Sequence, residues 1–236
     1  MSRILLFLSS LFFYQTLYAQ AGDSLFNKMV KDPLQQVYYQ GWAQQSPIYN
    51  GRQFLGYSPA IIGNAYYKID KWQNGAVRYE GTWYYDLPLL YDSYEGTVVT
   101  RAGAGLSYVI VKEKTSAFLI GTDEFVLMGT NKEEKIPAGF YQKIHDNGKL
   151  RLYIRRVKLL QEKIEGTLYE RHFISADEFY VLVNGKYHLV KKQRHLLNLM
   201  KDRQRQVIQF KKQKGIRYKE NRELFITSLI DYYNKL

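Results

Sequence analysis

Cysteine is absent from all 236 residues, and that absence excludes several chemistries at once. No disulfide staples the fold, no thiolate serves as nucleophile or metal ligand, and no cysteine near the N-terminus carries a lipid. The chain has to hold itself together by packing. Histidine is nearly as scarce. His145, His172, His188 and His195 stand apart, none pairs at metal-ligand spacing, and no HExxH sequence occurs, so neither a metal nor another cofactor is expected. His172 and His188 are the one pair that neighbouring strands would bring together. Long apolar runs are missing too. A membrane-spanning helix needs about 20 apolar residues, and the longest run, residues 4–13, is softened by Ser9 and Ser10.

That short run is informative in its own right. Arg3 gives a positive start, residues 4–13 an apolar centre, and Ala19-Gln20-Ala21 small residues where a signal peptidase reads. Residues 1–21 are therefore expected to be a signal peptide, with cleavage before Gly22. The mature protein is expected in the periplasm or on the cell surface.

Acidic residues run out toward the C-terminus. The chain carries +12 overall. Residues 22–148 hold 12 basic and 13 acidic residues, residues 149–190 hold 8 and 5, and residues 191–236 hold 13 and 4. The basicity belongs to the last segment, and it favours polyanionic partners. Export makes nucleic acid a poor candidate, leaving an envelope protein, a glycan or an anionic lipid.

What the sequence has in abundance is aromatic and turn-punctuated. Aromatics form 16% of the chain, including 22 tyrosines, which suit half-buried strands. Paired apolar runs flank Gln73-Asn74-Gly75, residues 101–105, Gly121-Thr122-Asp123, Asp146-Asn147-Gly148 and Asn184-Gly185, and each set predicts a hairpin. In residues 150–160 the alternation slips phase at Arg155-Arg156, which predicts a bulge. From Lys191 the period changes. Leu196, Leu199, Met200, Val207 and Phe210 lie on one stripe of a single helix ended by Gly215. Asn221 then caps a second helix whose apolar face includes Phe225, Ile226, Leu229, Ile230 and Tyr233. The expected fold is mainly β: a curved antiparallel meander, half-barrel or sandwich-like, with the C-terminal helices packed on it. Its parts are an N-terminal extension at 22–60 (a short helix after Asp23, stopped by Pro33, and extended pieces), a β domain at 61–190 and a basic helical segment at 191–236.

A set of stretches in fixed order carries a resemblance: Tyr49-Asn50-Gly51-Arg52, Tyr84-Tyr85 with Leu90-Tyr91-Asp92, Gly139-Phe140-Tyr141, residues 187–192, and Tyr232-Tyr233-Asn234. The set resembles a group of uncharacterised exported proteins of Bacteroidota over residues 49–236. The resemblance implies an envelope location and no activity.

No catalytic set stands out. Gly103-Ala104-Gly105 lacks the further small residue and helix of a dinucleotide loop, and Ser107 lacks the glycine of a nucleophile elbow. Asp86 and Asp92 flank Pro88. A glycosidase pair would need a cleft with about 5–10 Å between carboxyls, and aspartates in such a setting more often form turns. Trp72, Trp83, Tyr85 and Tyr91 are the candidate ligand platform, since flat rings with polar edges stack on sugars; aromatics also favour strands and fill cores, and core or rim packing is the preferred reading. Lys211, Lys212, Lys214, Arg217 and Lys219 are the candidate contact to an anionic surface; a solvated helix face, with cations near the helix C-terminus favoured by its dipole, is the preferred reading. The leading expectation is an exported, non-enzymatic binding or scaffolding protein of the envelope. The alternatives are a glycan-binding protein, a carrier of lipid or another apolar molecule and, lowest, a glycoside hydrolase-like enzyme.

Overall fold

A computed structural model of the chain describes residues 46–236, apart from residues 103, 104 and 167. The expected signal peptide, the helix after Asp23 and the centre of the Gly103-Ala104-Gly105 turn lie outside the described residues. The protein is mainly β, with one large antiparallel sheet and C-terminal helices. The strands are β1 (Gln73–Tyr79), β2 (Thr82–Asp92), β3 (Thr97–Arg101), β4 (Ser107–Val109), β5 (Thr115–Ile120), β6 (Asp123–Met128), β7 (Gly139–His145), β8 (Arg151–Arg155), β9 (Lys158–Glu165), β10 (Leu168–Ser175), β11 (Glu178–Val183) and β12 (Lys186–Leu189). The helices are α1 (Gln193–Leu199), α2 (Gln204–Lys214) and α3 (Arg222–Asn234).

Ten strands form the main sheet in the order β12-β11-β8-β7-β6-β5-β1-β2-β3-β4. Two meanders meet at the β1–β5 pair, and the chain crosses back once, between β4 and β5. The sheet is open but strongly curled. Tyr91 on β2 and Phe140 on β7 are separated by three strands, which in a flat sheet would put their backbones about 19 Å apart. Their ring centroids lie 6.2 Å apart. The curl goes further still, for the backbone N–H of Lys158, just past β8, donates to the carbonyl of Ser93, just past β2, at 3.0 Å.

The inner face carries two cores side by side. One joins Val77, Tyr79, Leu89, Tyr91, Phe118, Phe125 and Phe140. The other joins Leu152 and Ile154 of β8 and Phe179 and Val181 of β11 to Leu196, Val207, Phe225 and Leu229 of the helices. Each large apolar side chain buried there contributes about 1.5–3 kcal/mol, which is how a chain without disulfides stays folded. Asn221 caps α3 as expected, its Oδ1 accepting from the Leu224 N–H at 2.8 Å.

Three local expectations are corrected. Gln73-Asn74-Gly75 is not a turn but the start of β1; the turn falls at Glu80-Gly81, both at positive φ. Gly75 is needed for closeness instead. A Cβ there would sit 2.1 Å from the Leu119 carbonyl oxygen and 2.7 Å from Leu89 Cδ1. The slip at Arg155-Arg156 is not a bulge within one strand. Strand β8 ends at Arg155, and the chain leaves the main sheet for a separate two-stranded ribbon, β9–β10, before returning as β11. The single helix from 196 to 210 is broken by a 3₁₀ turn at Lys201–Arg203. A straight helix over 193–214 would run about 33 Å; the break lets Leu196, Met200 and Val207 all reach the same core.

Gly75→Ala is expected to lower stability by about 1–3 kcal/mol in urea unfolding, the usual penalty of overpacking. Gly129→Ala is the control, because a Cβ there meets nothing within 4 Å and should leave the midpoint unchanged.

Candidate functional site

The candidate aromatic platform does not assemble as one surface. Trp83 and Tyr85, two residues apart on β2, do stack, with centroids 6.1 Å apart and planes at 21°. Trp72 packs elsewhere, against Leu90, Val99 and Val109, with the Arg101 guanidinium over its ring at 5.4 Å. Tyr91 is 2% exposed and lies among Phe118, Phe125 and Phe140. It is a core residue, and its ring reaches no ligand on the surface. The same rings fill the inner face of the curled sheet, so a carried apolar molecule would have to displace them.

The basic cluster runs along the end of α2 and the loop that follows it. Lys211, Lys212 and Lys214 form the last turn of α2, and Arg217 and Lys219 follow in the loop to α3. Lys211 lies over the Phe225 ring at 5.9 Å and Lys214 over Phe210 at 6.0 Å. Arg217 pairs with Glu220 at 3.0 Å.

Asp86 and Asp92 do not flank a turn; both lie in the single strand β2. Asp86 takes a positive φ of 55° that kinks the strand. Asp92 is fully buried, and burial pushes its carboxyl above the usual aspartate range while its hydrogen bonds pull it back. Its Oδ1 accepts from the Tyr94 and Glu95 N–H groups, both at 3.0 Å, and Tyr57 donates its hydroxyl to Oδ2. This carboxylate holds the 93–95 turn. His172 bonds Glu170 at 2.8 Å on the ribbon while His188 lies on β12 of the main sheet, so the two belong to different sheets. Among the described residues no group of three histidine or acidic side chains is placed to hold a metal.

The most elaborate side-chain arrangement centres on Arg156, which the sequence shows only as half of a phase slip. It is 9% exposed and sits where the two inner cores meet. Its Nε donates to Gln142 Oε1 at 2.7 Å and its Nη1 to Asp177 Oδ2 at 2.8 Å. Both Nη groups grip Glu223, at 2.6 and 2.7 Å. Burial alone would weaken the positive charge; the bonds to Glu223 and Asp177 outweigh it and raise the pKa. The chain of bonds continues. Gln142 Nε2 donates to Asp123 Oδ1 at 2.9 Å, and Asp123 Oδ2 receives Lys68 Nζ at 2.6 Å and the Tyr67 hydroxyl at 3.2 Å. The ring of Tyr67 lies 5.4 Å below the Arg156 guanidinium. Helix α3, strands β6 and β7 and the segment before β1 are thus joined through one buried cation. A sequence signal existed, since two adjacent arginines at a phase break place one of them inward, but its partners come from distant elements.

Next to Arg156 lies a second basic group. Arg155 pairs with Glu178 at 3.2 Å. Lys112, from the 3₁₀ turn Lys112–Lys114, lies over the Phe140 ring at 5.8 Å. Burial and the charge of Arg155 lower the Lys112 pKa.

Arg156→Met strands Asp177 and Glu223 without their cation and is expected to cost about 3–5 kcal/mol in urea unfolding. Arg156→Lys should recover little of it, because an ammonium cannot grip two carboxylates as a planar fork does. Glu223→Gln, on a half-exposed partner, should cost about 1 kcal/mol, and a double-mutant cycle with Arg156→Met should show strong coupling.

No protein-family profile, curated protein or solved structure matches this chain.

Proposed function

We propose that the mature chain is an exported, non-enzymatic binding protein of the cell envelope that docks on an anionic surface through its C-terminal helices. One observation carries this reading. Residues 191–219 contain eleven basic residues and a single acid, Asp202. Ten of the eleven are exposed, and among the described residues only Arg217 of these has a carboxylate within ion-pair reach. Asp202 itself accepts the Tyr233 hydroxyl at 2.8 Å. A merely solvated helix face intersperses both signs, and a surface of one sign repels itself. Phosphate-bearing lipid head groups relieve that repulsion, at about 1 kcal/mol per cation near the surface.

A second reading has its own observation. The stacked Trp83–Tyr85 pair is half-exposed and offers two parallel rings to a sugar face. Glycan binding that disappears in Trp83→Ala, with the melting temperature retained, would favour it.

Sedimentation with vesicles decides the leading reading. Protein recovered from the envelope is expected to begin at Gly22. It should bind phosphatidylglycerol-containing vesicles, fail on pure phosphatidylcholine, and lose affinity as salt rises. Neutralising Lys212, Lys214 and Lys219 to glutamine should weaken binding by roughly fivefold per cation. Equal binding to neutral vesicles, or salt-independent binding, overturns it.

A further inference from the structure

Among the described residues the two sheets have four edges, at β4, β12, β10 and β9, and three of them are met by other parts of the chain. Beside β4 runs the segment 52–54. The Phe54 N–H donates to the Ser107 carbonyl at 2.8 Å, and the Val109 N–H to the Arg52 carbonyl at 2.9 Å. On the short β12, Glu134 takes the Tyr187 N–H at 3.0 Å. On β10, the Ile62 N–H donates to the Arg171 carbonyl at 2.8 Å, and the Phe173 N–H to the Ile62 carbonyl at 2.9 Å.

Strand β9 is the fourth edge, and it is open. The rung from the Ala176 N–H to the Val157 carbonyl, 2.8 Å, sets the phase of its pairing with β10. Continued through the register, that phase turns the backbone groups of Leu159, Gln161 and Lys163 toward β10. The N–H and C=O groups of Leu160, Glu162 and Ile164 then point away from it. Lys158 shares their phase, and its N–H is taken by the Ser93 carbonyl at the root. Among the described residues the backbone groups of the other three meet no partner.

Natural edges are blunted by proline, bulges or projecting charge. Strand β9 has no proline and runs in unbroken register with β10. Its central carboxylate is bound back onto the ribbon, since Glu162 accepts the Tyr169 hydroxyl at 2.6 Å and stands opposite Arg171. At the tip Ile164 and Tyr169 form an exposed cross-strand pair.

We infer that two copies of this chain join through β9, antiparallel about a two-fold axis at Glu162, to make one four-stranded sheet. Three features select a second copy as the occupant. Every outward group is used, because Leu160 and Ile164 of each copy pair with Ile164 and Leu160 of the other, giving about six backbone hydrogen bonds. The apolar tip of one ribbon meets the apolar root of the other. On one face the row reads Tyr169, Ile164, then Leu160 and Phe173 of the second copy, and such cross-strand rows are the unit of sheet stabilisation. Residues 158–175 carry three basic and three acidic residues, so this is where two copies of a chain of charge +12 can approach without repulsion. Glu162 against its own copy at the axis is the one unfavourable contact, flanked on each side by Arg171. The pairing is independent of the anionic-surface reading and is measured without lipid.

The test is sedimentation velocity of the purified protein from micromolar to near-millimolar concentration, with amide hydrogen exchange on the same samples. A monomer–dimer equilibrium is expected, with exchange at Leu160, Glu162 and Ile164 slowed as the dimer fills. Glu162→Pro removes the outward donor at the axis but no rung of the ribbon; it should abolish the dimer and keep the native melting temperature. Ile164→Lys should weaken the dimer tenfold or more, and its exposed position keeps the test alive if the proline disturbs the ribbon. Glu162→Gln removes the like-charge contact and should tighten the dimer severalfold. Lys212→Gln, on α2, should change nothing. Protein that stays monomeric throughout, a dimer undiminished by both Glu162→Pro and Ile164→Lys, or one that leaves exchange in β9 unchanged overturns the proposal.

Discussion

Arg156 is the constraint on which the rest of the architecture depends. The inner face of the curled sheet has to be covered by two different materials, aromatic rings along β1, β2, β5, β6 and β7 and helices over β8 and β11. Where they meet, the chain turns out of the sheet and its backbone needs partners that no ladder supplies. Asp177 serves both needs, accepting the Val157 N–H at 3.0 Å through one oxygen and Arg156 through the other. Glu223 brings the first turn of α3 to the same guanidinium. A buried ion network of this kind is weak evidence for net stability, since desolvation consumes much of the Coulomb gain. Its physical consequence is geometric: α3 can seat in only one register against the sheet while both carboxylates are satisfied.

The ribbon follows from that junction. Strands β9 and β10 pair with each other, and beyond the 61–63 segment that touches β10 they have little else to lean on. Two-stranded ribbons are marginal in water. Phe173 anchors this one by packing against Tyr57 and Tyr94, at 5.1 and 5.3 Å. Ile164, Leu168 and Tyr169 near the tip are 73%, 56% and 54% exposed. The ribbon therefore has a fixed root and a tip that local opening reaches first.

What could be read from the sequence was local. The Asn184-Gly185 hairpin and the Asn221 cap are each decided by neighbouring residues, and the structure has both. Gly75 shows the limit. Asn74-Gly75 carries the chemistry of a turn, but the glycine answers a demand set by Leu119 and Leu89, which arrive from other strands. Arg155-Arg156 fails in the same way, because a phase slip does not distinguish a bulge from a departure into a new ribbon. The break in the predicted helix at Met200 follows from the shape of a core the helix pattern does not contain. The partners of Arg156 were beyond reach altogether: Gln142, Asp177 and Glu223 lie in three separate elements and converge only because the sheet curls.

The distribution of charge follows from the same geometry. Carboxylates of the β region are spent on cations of the same region: Asp123 on Lys68, Glu124 on Lys143, Glu178 on Arg155, Asp177 on Arg156. Even Glu223 of the C-terminal segment is drawn inward to Arg156. The surplus of positive charge is thereby left on the C-terminal helices. Along the exposed helices it is screened by solvent and salt, each cation matters little alone, and only an extended anionic surface can use them together. A fold that spends its acids on holding its curl is left with cations to offer along its helices.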